Sequence, residues 1–124
     1  MIYLDTNAIV RYFVRDNVVQ ADKVVTLLSK EKNIKIADHI VLECSFVLKS
    51  VYLLEKEKIV DGLGFLLKLP NIKSSLQIKK ALELYSRLNI SFYDALLIAM
   101  LPKNAKLASF DKKLINSFHL KFVW

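Results

Sequence analysis

The sequence contains very few of the residues that hold small proteins together through covalent bonds or metal ions. Its 124 residues include one cysteine, Cys44, with two histidines, two glycines and two prolines. Disulfide frameworks and structural zinc sites need more cysteine and histidine than this. Glycine-rich phosphate-binding loops are excluded as well, because Gly62 and Gly64 both fall inside a helical pattern.

Long apolar runs are also missing. Glu43 and Lys49 interrupt the most hydrophobic region and Asp94 interrupts the next, so no stretch reaches the roughly 18 apolar residues of a membrane span. Asp5 stands where a secretory signal peptide would need an unbroken apolar core. We therefore expect a cytoplasmic protein with no membrane segment, in a reducing compartment.

The sequence does have a large apolar fraction and an excess of positive charge. Apolar residues make up 54% of the chain, and 19 basic against 12 acidic side chains give a formal net charge of +7. A chain of this length can bury a core of its own. No linker or repeat divides it, so we expect a single domain over residues 1–124. The charge points to a polyanionic partner.

Short apolar runs alternate with helical patterns along the whole chain. This alternation predicts a single-domain α/β/α sandwich with a small, mainly parallel central sheet. The helix beginning at residue 38 or 39 is apolar on nearly every side, which predicts burial all round. The predicted strands are 2–4, 34–36, 71–74, 106–110 and 118–124, and the predicted helices are one ending at 15, then 18–32, 38–54, 56–69, 76–88, 91–101 and 112–117.

Four of the acidic residues stand beside residues that should be buried, namely Asp5, Glu43, Asp94 and Asp111. A carboxylate in a core is costly unless it is paired or binds a cation. Asp5 and Asp111 would follow strand ends, and Asp94 would lie in the first turn of a helix at the same sheet edge. Clustered carboxylates favour a hard divalent cation, Mg²⁺ or Mn²⁺. Together with the basic surplus, they indicate metal-assisted phosphodiester hydrolysis.

A simpler interpretation is open for three of these acids. Asp111 can cap the last helix, Asp94 can belong to a capping box opened by Ser91, and Asp5 can order a turn. Glu43 has no capping role, because it lies within a helix. Its side chain shares one helix face with His39 and Ser50, which predicts a polar partner opposite, either a metal site or an ion pair with Arg11 or a lysine.

Four segments carry a resemblance to a known family: 2–10 with Asp5, 41–48 with Glu43, 92–99 with Asp94 and 107–114 with Asp111. In this order and at these separations they resemble the PIN-domain nucleases, and among them the small VapC-type ribonuclease toxins of toxin–antitoxin pairs. The resemblance covers nearly the whole chain. One departure is the loop at residues 103–106, where the family usually has glycine and Asn104 is the residue best able to adopt a left-handed conformation.

The resemblance implies roles for individual residues. Asp5 and Asp94 would ligate Mg²⁺ or Mn²⁺ directly, and Asp111 would join them directly or through water. Glu43 would position metal-bound water or assist proton transfer. Three polar side chains would orient the carboxylates, namely Thr6, Asn7 and Ser109.

The resemblance also implies partners. The substrate would be RNA rather than DNA, the protein would be a homodimer, and an antitoxin would occupy the groove that leads to the acids. Arg11 and Arg15 lie one turn apart after Asp5, a spacing that predicts phosphate contacts unless both are ordinary surface charge. Two alternatives stay open: a non-catalytic nucleic-acid-binding or scaffold module, and a stand-alone RNA-processing nuclease without an antitoxin.

Overall fold

A computed structural model describes residues 1–117 and 121–124. Within these residues, helices and strands alternate in the predicted order. The elements are β1 (Ile2–Tyr3), α1 (Thr6–Val14), α2 (Val18–Lys30), β2 (Ile34–Lys35), α3 (Asp38–Ser50), α4 (Lys56–Leu67), β3 (Ile72–Lys73), α5 (Leu76–Arg87), α6 (Phe92–Met100), β4 (Lys106–Leu107), α7 (Lys112–Ser117) and β5 (Lys121–Phe122).

The strands pair in parallel and form two separate sets, one of three strands and one of two. β1, β2 and β3 pair in that order, with Ile34 between Ile2 and Ile72, and β4 pairs separately with β5. The small parallel sheet and its helices confirm the predicted fold class. The strands are shorter than the sequence predicts, and residues 118–120 of the last predicted strand lie outside the described residues.

The core forms where the apolar stripes of the helices meet the sheet. Ile34 and Ile36 are fully buried at β2, the middle strand. Along α5, Ile78, Ala81, Leu82 and Tyr85 are buried at helical spacing. The helix begins after Ser75, whose Oγ accepts a hydrogen bond from the backbone N–H of Ile78 at 3.0 Å. Periodicity and capping therefore place this helix correctly.

The third helix differs from its prediction. It packs against α1, α4 and α6 and buries Val41, Cys44 and Leu48, but its other face is open to solvent. Phe46 is 57% exposed. The prediction that α3 is buried all round was therefore wrong, because the neighbouring helices cover only part of its surface. The helix also ends at Ser50 rather than at residue 54.

The loop after α6 needs no left-handed residue. The backbone N–H of Ala105 donates to the carbonyl oxygen of Pro102 at 3.0 Å, which closes a tight turn through residues 103 and 104. Asn104 does not adopt a positive φ. The prediction of a left-handed conformation at Asn104 was therefore wrong, because this turn forms with ordinary backbone angles.

The helices are short. The longest of them, α2 and α3, have 13 residues each. None in residues 1–117 or 121–124 is long and apolar enough to cross a membrane.

Gly62 and Gly64 of α4 provide a matched test of the helix packing. A Cβ at Gly64 would have its nearest neighbour, Cδ2 of Leu82, at 3.8 Å, whereas a Cβ at Gly62 would lie 2.8 Å from Cε1 of Phe13. Alanine favours a helix over glycine by about 0.8–1.0 kcal/mol. We therefore expect Gly64→Ala to raise the free energy of unfolding by about 0.5–1 kcal/mol. Gly62→Ala should lower it, because the Phe13 ring must move. Urea unfolding of both variants measures this difference, and equal stabilisation by both would contradict the packing.

Candidate active site

Asp5 lies where the first strand passes into the first helix. Its Oδ1 accepts a hydrogen bond from the backbone N–H of Ala8 at 2.9 Å, so the side chain caps α1. Asp5 is exposed. Beside it, the buried Oγ1 of Thr6 has no hydrogen-bond partner within the described residues. This end of β1 therefore presents an accessible carboxylate next to an unsatisfied hydroxyl.

Glu43 lies on the open face of α3. The side chain is exposed, as are His39 and Ser50, so the polar line predicted on this helix faces solvent. Of the two polar partners expected opposite Glu43, the ion pair does not form within the described residues, and the metal site stays a prediction. Arg11 does not neutralise Glu43 either, because its guanidinium pairs with Asp16 at 3.0 Å.

Cys44 shows that Asp5 and Glu43 share one neighbourhood. Its thiol is buried and donates a hydrogen bond to the carbonyl oxygen of Thr6, with 3.9 Å between sulfur and oxygen. Burial, and after it the negative charges of Glu43 and Asp5, raise the pKa of the Cys44 thiol to about 12. The contact between α3 and the start of α1 therefore brings these two acids near the same sulfur atom.

Asp94 lies in the first turn of α6. Ser91 caps this helix, and its Oγ accepts a hydrogen bond from the backbone N–H of Asp94 at 3.0 Å, as the capping interpretation predicts. The Asp94 side chain is half-buried. Because α6 packs against α3, Asp94 belongs to the same group of helices as Glu43.

Asp111 begins the last described helix. Its Oδ1 accepts hydrogen bonds from the backbone N–H groups of Lys113 at 3.0 Å and Leu114 at 3.2 Å. Ser109 Oγ accepts from the backbone N–H of Asp111 at 3.0 Å. Ser109 therefore contacts this acid through its backbone, and Asp111 acts as a helix cap in the structure.

Asp5 and Asp94 lie at the starts of helices that contact α3, the helix of Glu43, and Asp111 precedes α7, which shares a groove with α3. The four acids do not form a closed cluster. In residues 1–117 and 121–124, no three aspartate, glutamate, histidine or cysteine side chains lie close enough to hold a metal ion together. The ion pairs in this part of the chain join Arg11 to Asp16, Arg15 to Asp22 and Arg87 to Glu83. None of the four acids therefore has a lysine or arginine partner among the described residues.

The chemistry of the donors fits a hard divalent cation. Carboxylate oxygens are the ligands that Mg²⁺ and Mn²⁺ prefer. Asp5 and Asp111 each use only Oδ1 in capping, and the described hydrogen bonds leave Oδ2 of both available. The unsatisfied hydroxyl of Thr6 adds a further oxygen beside Asp5.

Comparison with known proteins bears on the same segments. The family model of the PIN domain matches residues 2–117, which include all four acids. The chain belongs to the PIN domain family. PIN domains are in general nucleases. No curated protein matches the chain.

The side chains of Arg11 and Arg15 both form ion pairs in this PIN domain. Arg11 donates to Asp16 and to the side-chain oxygen of Gln20 at 2.9 Å, and the Tyr52 hydroxyl, followed by Asp16, raises the pKa of its guanidinium. Arg15 pairs with Asp22 at 2.7 Å. These contacts join the first two helices, and the predicted phosphate contacts stay a prediction.

Asp38, the first residue of α3, contacts a residue that lies far from it in the sequence. Ala37 occupies the cap position of α3, while Oδ1 of Asp38 accepts a hydrogen bond from Oγ of Ser75 at 2.7 Å. This contact joins the segments that follow β2 and β3. No spacing in the sequence relates residues 38 and 75, so sequence patterns could not have found it.

A second feature that the sequence did not predict is a groove lined by lysines. Lys49 of α3 and Lys113 of α7 line one groove together with Ser91, Phe92 and Tyr93. These residues come from three segments far apart in the sequence. The basic surplus indicates only that such a surface exists, because composition carries no information on where lysines meet.

Cys44 should be chemically inert in the folded protein. Burial removes the thiol from solvent, and a pKa of about 12 leaves almost no thiolate at pH 8. We expect a chromogenic disulfide reagent to modify it only as fast as the protein unfolds, and at once in guanidinium chloride. The absorbance of the released thiolate measures the rate. Rapid reaction of one thiol per chain under native conditions would contradict the burial of Cys44.

Proposed function

We propose that this PIN domain is a metal-dependent ribonuclease that hydrolyses RNA phosphodiester bonds near Asp5, Glu43, Asp94 and Asp111. One observation carries the proposal: in a PIN domain, four carboxylates without a described basic partner stand on α3, at the starts of two helices that contact it, and just before α7, which shares a groove with it. We further propose that the protein is the toxin of a cytoplasmic toxin–antitoxin pair. The supporting argument for this second step is the resemblance of the four acid-bearing segments to those of VapC-type toxins.

The residues have distinct roles in this proposal. Asp5 and Asp94 would hold Mg²⁺ or Mn²⁺, with Asp111 joining them directly or through water. When bound, such an ion stabilises charge on a phosphoryl oxygen and makes water more acidic. Glu43, which is exposed, would orient the attacking water and accept its proton.

Polar neighbours would orient the carboxylates. The hydroxyl oxygen of Thr6 lies buried beside Asp5, Asn7 lies exposed in the first turn of the same helix, and Ser109 holds the backbone of Asp111. Arg11 and Arg15 would reach phosphates only by exchanging their ion pairs with Asp16 and Asp22.

A homodimer is part of the proposal. Leu97 and Met100 lie three residues apart on α6, and together they form a short exposed apolar stripe. An apolar stripe of this kind supports a protein interface. A cognate antitoxin would inhibit the enzyme by occupying the groove near the acids. If an acidic protein encoded beside this chain copurifies with it, that result would support the antitoxin. If no such protein copurifies, the result would favour a stand-alone RNA-processing nuclease.

The activity should depend on a divalent metal and on the four acids. We expect the protein to cleave single-stranded RNA in Mg²⁺ or Mn²⁺ and to leave 5′-phosphate and 3′-hydroxyl ends, because water is the nucleophile. Asp5→Asn and Asp94→Asn should each lower the cleavage rate by about 100-fold or more, since even the outer partners of metal ligands contribute roughly 10- to 100-fold. Gel analysis of labelled RNA measures both the rate and the ends.

Asp61→Asn provides the control for this assay, because Asp61 is an exposed acid of α4. This variant should cleave at the rate of the wild type. Cleavage in excess EDTA, or a 2′,3′-cyclic phosphate product, would contradict the mechanism. RNA binding without any cleavage would instead support the non-catalytic module.

Metal binding should also stabilise the folded protein. At a Mg²⁺ concentration ten times its dissociation constant, the ion adds about 1.4 kcal/mol to the free energy of unfolding. We expect Mg²⁺ to raise the Tm of the wild type and of Asp61→Asn, but to raise that of Asp94→Asn much less. Thermal melts in EDTA and in Mg²⁺ give the comparison. If Asp94 only stabilises the α6 N-terminus, Asp94→Asn costs about 0.3–1 kcal/mol in EDTA and responds to Mg²⁺ like the wild type.

A further inference from the structure

A groove of about 530 Å³ lies between the second half of α3, the start of α6 and the last described helix, α7. We call it the lysine groove. Its size is within the range of ligand-binding clefts. No carboxylate lines it in the described part of the chain. Its lining residues are Ser45, Phe46, Lys49, Ser50, Tyr85, Asn89, Ile90, Ser91, Phe92, Tyr93 and Lys113.

Lys49 and Lys113 line this groove, and Lys56 lies over the ring of Tyr85, which also lines it. The Lys56 ammonium lies 4.5 Å from the centre of the Tyr85 ring and donates to the carbonyl oxygen of Leu88 at 2.9 Å. Burial, and after it the charges of Lys49 and Lys113, lower the pKa of Lys56. None of the three lysines forms an ion pair within the described residues. A bound anion would reduce the repulsion among the three positive charges, so the groove is suited to bind an anion.

Two aromatic side chains stand at the same groove. Phe46 is 57% exposed and Tyr93 is 52% exposed, so each offers a ring face to a ligand. Exposed aromatic rings beside basic side chains are typical of surfaces that bind unpaired nucleotides, where bases stack and phosphates meet cations. A double helix would keep its bases stacked inside and could not use these rings.

The groove begins next to the acids. Phe46 follows Glu43 by three residues on α3, Tyr93 precedes Asp94, and Lys113 follows Asp111 by two residues. Each of these three groove residues is thus within one helical turn, along the chain, of a proposed catalytic acid. An RNA strand bound at the acids would therefore continue into the lysine groove.

We propose that the lysine groove binds an unpaired nucleotide flanking the scissile bond, with Lys49 and Lys113 on the phosphate backbone and Tyr93 stacked on the base. The proposal rests on the proposed ribonuclease function and adds the place where the substrate strand is held. Lys56, held by Tyr85 and Leu88, contributes long-range charge rather than a direct contact.

The salt dependence of RNA binding tests the two lysines. Fluorescence anisotropy in EDTA, where no cleavage occurs, measures binding of an unstructured RNA of about ten nucleotides at several salt concentrations. Lys49→Ala/Lys113→Ala should reduce the log–log salt slope by about 1.4, because each lost contact to a single strand removes roughly 0.7. The pair Lys49→Arg/Lys113→Arg keeps the charges and should keep the slope.

The matched control is Lys68→Ala/Lys79→Ala. These lysines line grooves between α4 and α5 that share no residue with the lysine groove, and the change in net charge is the same. The control should leave the slope unchanged. An unchanged slope for Lys49→Ala/Lys113→Ala, or an equal loss in the control, would overturn the proposal.

Base stacking is tested separately with Tyr93→Ala. Affinity for the RNA should fall about fivefold or more, whereas affinity for an abasic ribose-phosphate oligomer of the same length should not change. An equal loss for both oligomers would overturn the stacking contact. If binding of a polyglutamate peptide depends on Lys49 and Lys113 while binding of RNA does not, the groove binds an acidic protein segment and the proposal is wrong.

The outcomes also separate this proposal from the ribonuclease function. If the wild type fails to cleave RNA in Mg²⁺ but the slope falls as expected, the nuclease proposal fails and the groove remains an RNA-binding site. If cleavage is normal and the slope does not change, only the groove proposal fails.

Discussion

The packing of one face of α3 determines where the other functional features lie. Val41, Cys44 and Leu48 lie on this face and are almost fully buried against neighbouring elements. Burial of this face directs Glu43 and Phe46 outward on the opposite side. The same helix thus contributes an acid, an aromatic ring and a lysine to the surface, and a change that rotated α3 would displace all three at once.

The acids are compatible with the fold in the absence of a metal ion because three of them lie at helix N-termini. Asp5 caps α1, Asp111 caps α7, and Asp94 lies in the first turn of α6. The N-terminal end of a helix carries a partial positive charge that stabilises a carboxylate. Each of these three acids therefore has a local source of stabilisation. Capping and metal binding are compatible, because a carboxylate has two oxygen atoms.

Much of the fold could be predicted because it depends on local patterns. The spacing of apolar residues predicted the helices, and Ser91 marked the start of α6. The exposure of Glu43 could not be predicted, since a helix with apolar residues on nearly every side does not reveal which of them neighbours will cover. The lysine groove was also out of reach, because Lys49 and Lys113 meet only through tertiary packing. The candidate acids were found from their apolar neighbours, although that signal overstated their burial.

The order of strands in the sheet also bears on how the chain folds during synthesis. β1, β2 and β3 are neighbours in the same order as in the sequence, so each can pair with a strand that the ribosome has already released. β4 and β5 form their own pair at the end of the chain. A nascent chain that has reached α4 carries Asp5 and Glu43 but neither Asp94 nor Asp111. The full set of acids is present only after residue 111 has been made, so synthesis itself delays assembly of the site.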